Sequence, residues 1–325
     1  MPVRFTSPSL GGHRQVFLQR GEFELGVAYR RLTADDWFVH STVTPSAAPF
    51  GKPVNFNINS VDLSLAYGVT ERLSLQLTVP TSSGTNTRGY ADSASHRISA
   101  SGLGDINLVA TLWLLNPVTH GGGNVAVGLG AKAPTGSHTV RDNFWTPTGP
   151  VEFPVHPGIQ PGDGSWGILV EAQAFQRLTG GLAAYAFGAY QMSLRDTLDT
   201  KFTPSYTHPL SSPDVYHARL GLAYAVWPSG GLSASLGIRF DGVAVHDVIG
   251  GSDGFRIPGH TTYLDPGLSV ARGRNSVTLS VPVRIHGVFV ANALDQAGPL
   301  PPGEFPGYQG DLAKYLIFLT YARRF

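Results

Sequence analysis

Residues 61–80 read VDLSLAYGVTERLSLQLTVP. Val61, Leu63, Leu65 and Tyr67 share one parity, against Asp62, Ser64 and Ala66 on the other. After GVTE (68–71), Leu73, Leu75, Leu77 and Val79 repeat the pattern against Ser74, Gln76 and Thr78. Strict alternation marks a strand with one apolar and one polar face. Two such runs joined by a tight turn make a β-hairpin.

The same period extends in both directions. In GEFELGVAYRR (21–31), Phe23, Leu25, Val27 and Tyr29 oppose Glu22, Glu24, Gly26, Ala28 and Arg30. Upstream of Val61, Phe56 and Ile58 fall on the opposite parity, which predicts a bulge near Asn59–Ser60. Further strands are expected around 104–115, 123–134, 166–177, 182–193, 215–227, 232–241, 261–271, 276–286 and 313–325, about twelve in all. In LAAYAFGAYQMSL (182–194) both faces are apolar, and its parity stays open.

The connections sharpen the reading. GVTE (68–71), LTGG (178–181), WPSGG (227–231) and ARGRN (271–275) are tight turns, and NPVTHGGG (116–123) is slightly longer. Between them lie polar, Gly/Pro-rich segments near 32–53, 80–103, 134–165, 193–213, 242–260 and 287–311. Six connections of that length are foreign to a compact soluble domain. Alternation of short periplasmic turns with long extracellular loops is the rule in transmembrane barrels. Because hydrocarbon satisfies no backbone N–H or C=O, a β-protein crosses it only as a closed barrel, with apolar side chains outward. The expected fold is therefore all-β: a closed antiparallel transmembrane β-barrel of about twelve strands with six long extracellular loops. A soluble sandwich or lipocalin-like barrel also alternates but needs no such loop pattern. The barrel is assigned to residues 21–325, with residues 1–20 as a segment in the periplasm or partly in the lumen. Tyr29, Tyr67, Trp113, Tyr224, Trp227 and Tyr315 suit an interfacial aromatic girdle.

Composition agrees. Of 325 residues, 42% are hydrophobic but only 14% charged, with 40 Gly and 24 Pro; an ordinary soluble domain is about 25% charged. The net charge of +1 gives no reason to expect nucleic acid as a partner. The absence of cysteine excludes disulfides, thiolate metal sites and cysteine nucleophiles. No run approaches the ~18 apolar residues of a membrane helix. The stretch MPVRFTSPSLGGHRQVF has no apolar h-region, so an export signal is expected to lie outside this numbering.

Several motifs resemble a known family. YGVTERLSLQLTVP (67–80), SGLGDINLVATLWLL (101–115), GLGAKAPTG (128–136), QPGDGSWGILVEAQ (160–173) and TYLDPGLSVARGRNSVTLSVPVRIHG (262–287), in that order and followed by the terminal strand, resemble outer-membrane transporters of the MetA-pathway-of-phenol-degradation family. The resemblance implies passage of small, often hydrophobic molecules across the outer membrane, and brings no catalytic residues with it.

Taken literally, the alternation turns a charged set into the lumen. Arg30, Lys132, Glu171, His217, Arg219, Arg239, Asp241, Arg284 and His286 are candidates for a constriction that orients polar or anionic solutes. Glu22, Glu24, Lys314 and Arg324 are placed at the periplasmic mouth. The plainer reading is that these charges pair across the lumen and plug it, because about twelve strands enclose a narrow interior. The eleven histidines show no metal spacing, and polar lining is the default role even for His217 and His286. Loop stretches RDNFWTP (141–147) and HDVIGGSDGF (246–255) are rich in Asp, Asn and Gly, for which solvation is the default over calcium. No metal and no cofactor is expected, and there is no Gly-x-Ser-x-Gly elbow.

The terminal run YLIFLTYARRF (315–325) is expected to close the barrel against GEFELGVAYRR and so remove both sheet edges. Tyr321 and Phe325 on it resemble the signal read by barrel-assembly machinery. The expected function is a passive outer-membrane channel or facilitator for small-molecule solutes, surrounded by outer-membrane lipid. The alternative is a plugged barrel presenting its loops to an envelope protein partner, and a third reading is an outer-membrane lipid hydrolase. The Arg-rich lumen points to polar or anionic solutes and the family resemblance to hydrophobic aromatics.

Overall fold

The computed structural model describes residues 17–301 and 304–325. Twelve antiparallel strands close into a barrel. They are β1 (Phe23–Val39), β2 (Asn55–Gly68), β3 (Leu73–Gly89), β4 (Ser95–Leu103 continued by Ile106–Trp113), β5 (Gly123–Ala133) and β6 (Gly167–Arg177). The second half comprises β7 (Leu182–Ser193), β8 (Val215–Trp227), β9 (Leu232–Val243), β10 (Gly259–Arg272), β11 (Asn275–Ser280 continued by Val283–Phe289) and β12 (Gln309–Arg324). Each strand pairs with the next, and β12 pairs with β1 from Glu24↔Arg324 to Val39↔Gln309. The terminal strand is thus the seam, and closure leaves the sheet no edge. No helix of the described residues is long and apolar enough to cross a membrane.

The outer face carries the apolar parity. Leu129 and Leu220 are 64% exposed, and Leu63, Leu65, Val127, Leu222, Leu236, Leu268 and Leu319 are exposed beside them. A continuous exposed belt of this kind is tolerable only in hydrocarbon. Tyr67, Tyr224, Trp227 and Tyr315 are exposed with it. Trp113 is not: it is 3% exposed and packs inside against Phe17, Ala126 and Phe175. Residues 1–16 of the expected N-terminal segment lie outside the described residues.

The expected bulge near Asn59–Ser60 is absent. β2 keeps unbroken register with β1 and β3 through those residues. The inversion of pattern has a different cause. β1 and β3 are 17 residues long, whereas ~9–11 cross a bilayer. Along the outer face of β2, Tyr67, Leu65, Leu63 and Val61 give way to Asn59, Asn57 and Asn55; along β3, Leu75, Leu77 and Val79 give way to Thr81, Ser83, Thr85 and Thr87. Beyond the belt the outside meets water, and Phe56 and Ile58 turn inward on the same parity as Ser60 and Asp62. Real register breaks fall elsewhere, at Thr33–Asp36 in β1 and opposite Thr262–Tyr263 in β11.

The strands therefore extend into what the sequence suggests is loop. The segment 80–103 is mostly hairpin, and its connection shrinks to residues 90–94. Strand length spent beyond the belt builds a second core at the long-loop end. There Ala34, Val54, Phe56, Ile58, Tyr90, Ile98, Ala100, Val155, Ile159, Tyr263 and Leu316 pack together.

Candidate functional site

Three levels of the interior follow from this geometry. At the long-loop end, a cavity of about 200 Å³ lies inside the barrel. Its walls are apolar: Leu32, Phe56 and Ile58 from β1 and β2, Tyr263 from β10, and Leu316 and Phe318 from β12. Loop residues bring His156, Phe202, Phe255 and Phe305 to it, and Arg30, Ser60 and Asp241 give it a polar margin.

The loop 134–166 is drawn inward by a buried cation. Lys132, near the end of β5, donates to Asp105 Oδ2 at 3.3 Å, to Ser165 O at 2.7 Å, and to Asp163. Asp105 in turn accepts the amides of Gly136 and Asp163, each at 2.9 Å. Gln160 accepts from the Val140 amide and donates to the Val140 carbonyl, both at 3.0 Å. The loop then reaches the wall at Gly84, where an added Cβ would stand 2.8 Å from Ile159 Cβ; only glycine permits that approach. His156 thereby arrives in the cavity wall, between Phe56 (4.9 Å) and Phe202 (5.1 Å). Burial first, and the Arg88 charge second, hold its imidazole well below the ordinary histidine range. Its Nδ1 accepts the Gly158 amide at 3.0 Å, so the neutral ring carries its proton on Nε2.

Two further loops are tied to each other above the cavity. Glu304 Oε1 accepts the Thr207 amide at 2.7 Å, and Oε2 lies 3.2 Å from His208 Nδ1. Tyr206 donates to the Phe305 carbonyl; within the loop between β9 and β10, Arg256 grips Asp247 through two bonds of 2.6 Å.

At the margin of the cavity and below it, charges pair along the lumen wall between near-neighbour strands. Arg30 bonds Asp62 at 2.9 Å. Arg239 Nε meets Asp241 Oδ2 at 2.8 Å, and the other carboxylate oxygen takes His217 Nδ1 at 2.6 Å. Arg219 meets Asp265 at 2.5 Å and lies over the Tyr185 ring at 5.2 Å. Arg239 lies over Phe318 at 4.5 Å. His217, Arg239 and Asp265 are all nearly inaccessible to water. Glu171 is on the inward parity of β6, between Leu169 and Gln173. The open parity of β7 is settled by Tyr185 and Phe187, which point inward and are buried with Leu169 and Val215. At the short-turn mouth Arg324 bonds Glu24 at 2.8 Å, and Glu22 accepts the Gln19 amide at 2.8 Å.

Two expected positions change. Lys314 is not at the periplasmic mouth: β12 descends from the long-loop end, and Lys314 sits there in the register break, 3.2 Å from Asp36. His286 is not in the lumen. The irregularity in β11 turns it out opposite Thr262, exposed and 6.1 Å from the His260 ring. Arg284 bonds Asp36 at 2.5 Å and the Leu312 carbonyl at 2.7 Å, and lies over Phe38 at 4.7 Å, tying β11 to the seam. Among the described residues no group of three or more metal-ligating side chains converges.

Residues missed from sequence are the apolar ones that make the cavity, together with Arg88. Their signal was the pairing of Asn and Thr outside with Phe and Ile inside on strands too long for a bilayer.

A closed antiparallel barrel, belted by leucine and valine and holding an apolar chamber beneath folded-in loops, has the architecture of an outer-membrane β-barrel. Among solved structures the chain is similar to an outer membrane channel from Pseudomonas putida F1, with 17% identity, 99% of this chain and 100% of that chain covered, and a TM-score of 0.64. It is more distantly similar to the CymD monoaromatic hydrocarbon channel (12% identity, 95% and 89% covered, TM-score 0.47) and to a Pseudomonas aeruginosa FadL homologue (10%, 94% and 90%, 0.46). No family model and no curated protein matches the chain. The likeness to the phenol-degradation family therefore rests on the motifs quoted above.

Proposed function

We propose that the chain is a bacterial outer-membrane channel or facilitator that admits small, largely apolar molecules without covalent chemistry. The observation that carries this reading is the apolar cavity of about 200 Å³ inside the barrel, between the loops and the charged waist. An engineered protein cavity of ~150 Å³ holds benzene, so the volume suits one substituted ring or a short chain. The long loops then face the exterior and the short turns the periplasm. The charge pairs Arg30–Asp62, Arg219–Asp265 and Arg239–Asp241–His217 act as the constriction, and they close the lumen to bulk water. Lipid surrounds the belt, and Tyr321 and Phe325 on the seam strand serve recognition by assembly machinery.

The test is uptake of toluene by cells that express the protein in their outer membrane, against cells with the empty vector. Faster uptake, slowed when Ile58→Trp fills the cavity, supports the reading. Uptake equal to the vector control overturns it. The buried pairs favour one alternative, a closed barrel that presents its loops to an envelope partner, and equal uptake is the result that reading requires.

A further inference from the structure

Arg88 is a buried cation with no ion-pair partner among the described residues. It stands at the outer end of β3, 7% exposed, and lines the cavity. Its guanidinium carbon lies 5.0 Å from the Tyr90 ring, 5.6 Å from Phe144 and 5.8 Å from Phe202. Its Nε is buried without a hydrogen-bond partner among the described residues. Trp37 Nε1, on another cavity-lining residue, is in the same condition. Aromatic faces attract a guanidinium, but they accept no conventional hydrogen bond, and a buried charge without a counterion is costly.

An acid shares this cavity without bonding the Arg88 Nε. Asp311 also lines the cavity, and neither its Oδ1 nor the Arg88 Nε has a hydrogen-bond partner among the described residues. Burial pushes the Asp311 carboxyl well above the ordinary range, against the pull of Arg88. With the Nε2–H of His156 and the Trp37 Nε1, the Arg88 Nε gives this chamber donors that lack a protein acceptor or face the cavity. An acceptor-rich anionic group complements it, and a charge-assisted bond to guanidinium is the strong kind.

We propose that the cavity takes a small hydrophobic monocarboxylate, its ring or chain against Phe56, Ile58 and Leu316 and its carboxylate on the Arg88 guanidinium. This rests on the channel reading and narrows its solute class. It also reconciles an apolar chamber with a buried arginine whose Nε has no hydrogen-bond partner among the described residues.

Binding of benzoate, benzyl alcohol and toluene to the full chain in lipid nanodiscs, followed by calorimetry, tests it. Benzoate is expected to bind at least ~10-fold tighter than benzyl alcohol, the size of one charged hydrogen bond. Arg88→Met should erase that preference, bringing the ratio of benzoate to benzyl alcohol affinity to about one, and Arg88→Lys should keep part of it. Benzyl alcohol binding as tightly as benzoate to the unmodified protein overturns the proposal, and so does benzoate binding that Arg88→Met leaves intact. Should Arg88→Met fail to fold, the comparison on the unmodified protein still decides. Toluene binding without a benzoate preference leaves the channel reading standing, whereas binding of none of the three removes both.

Discussion

Lys132→Met tests how the cavity is roofed. The ammonium is buried and holds Asp163 and the Ser165 carbonyl of the loop 134–166 together with Asp105 of the wall. Methionine keeps the length of the stem and removes the charge. Two carboxylates are then left facing each other without a cation, a situation that costs about 3–5 kcal/mol. The Gly136 and Asp163 amides still bond Asp105, so the lower figure is the better guide. About 3 kcal/mol multiplies the opening equilibrium of the loop by roughly 10². Hydrogen exchange followed by mass spectrometry reads this directly: peptides from 134–165 should exchange about that much faster, while peptides from β8 and β9 keep their protection. Adding Asp163→Asn should recover part of the loss, because it removes one of the two opposed charges. Unchanged exchange in the loop, or equal acceleration throughout the barrel, would refute the inference that Lys132 pins this loop.

Two further outcomes follow from the waist and the loops. Arg219→Leu strands Asp265, which among the described residues keeps the Ser280 hydroxyl, and should cost about 3–5 kcal/mol in denaturant unfolding from lipid vesicles; Arg219→Leu with Asp265→Leu should recover most of it, and a single-variant cost below about 1 kcal/mol would mean the pair is solvated. At Glu304, burial alone would raise the carboxyl, but the Thr207 hydroxyl and amide, then His208, hold it below its ordinary value. A carboxyl lowered in the folded state contributes stability above its unfolded pKa and loses it as pH falls through the folded one. The tie between the 194–214 and 290–308 loops should thus hold from neutral pH down to about pH 4 and fail below it. Exchange of the Thr207 amide against pH measures this, and protection that persists unchanged well below about pH 4 would refute the assignment to the Glu304 carboxylate.

The seam, the strand count and the lipid-facing belt were legible because hydrocarbon imposes one rule on every residue of a spanning segment. Val61–Val79 obeys it without exception, and so does Tyr216–Val226. The chamber was hidden by the same rule. Reading alternation as apolar-out over the whole strand makes Phe56 and Ile58 look like a slip in register, when the strand had merely left the membrane and the solvent had changed sides. His286 and Lys314 were misplaced for a related reason: each lies at a register break, where parity carries no information across the irregularity. Arg88 shares the inward parity of β3 with Thr78 and Pro80, yet nothing in its neighbours announces that three aromatic rings from distant segments will surround it. Charged residues that pair within the lumen, such as Arg30 with Asp62, sit on adjacent strands and are recoverable from hairpin register. A charge whose partner is a solute leaves no second residue in the sequence to find. An arginine on the inward parity of an over-long strand, beyond the apolar belt and with no acid opposite in register, is thus the pattern that separates a solute-binding cation from a lumen brace.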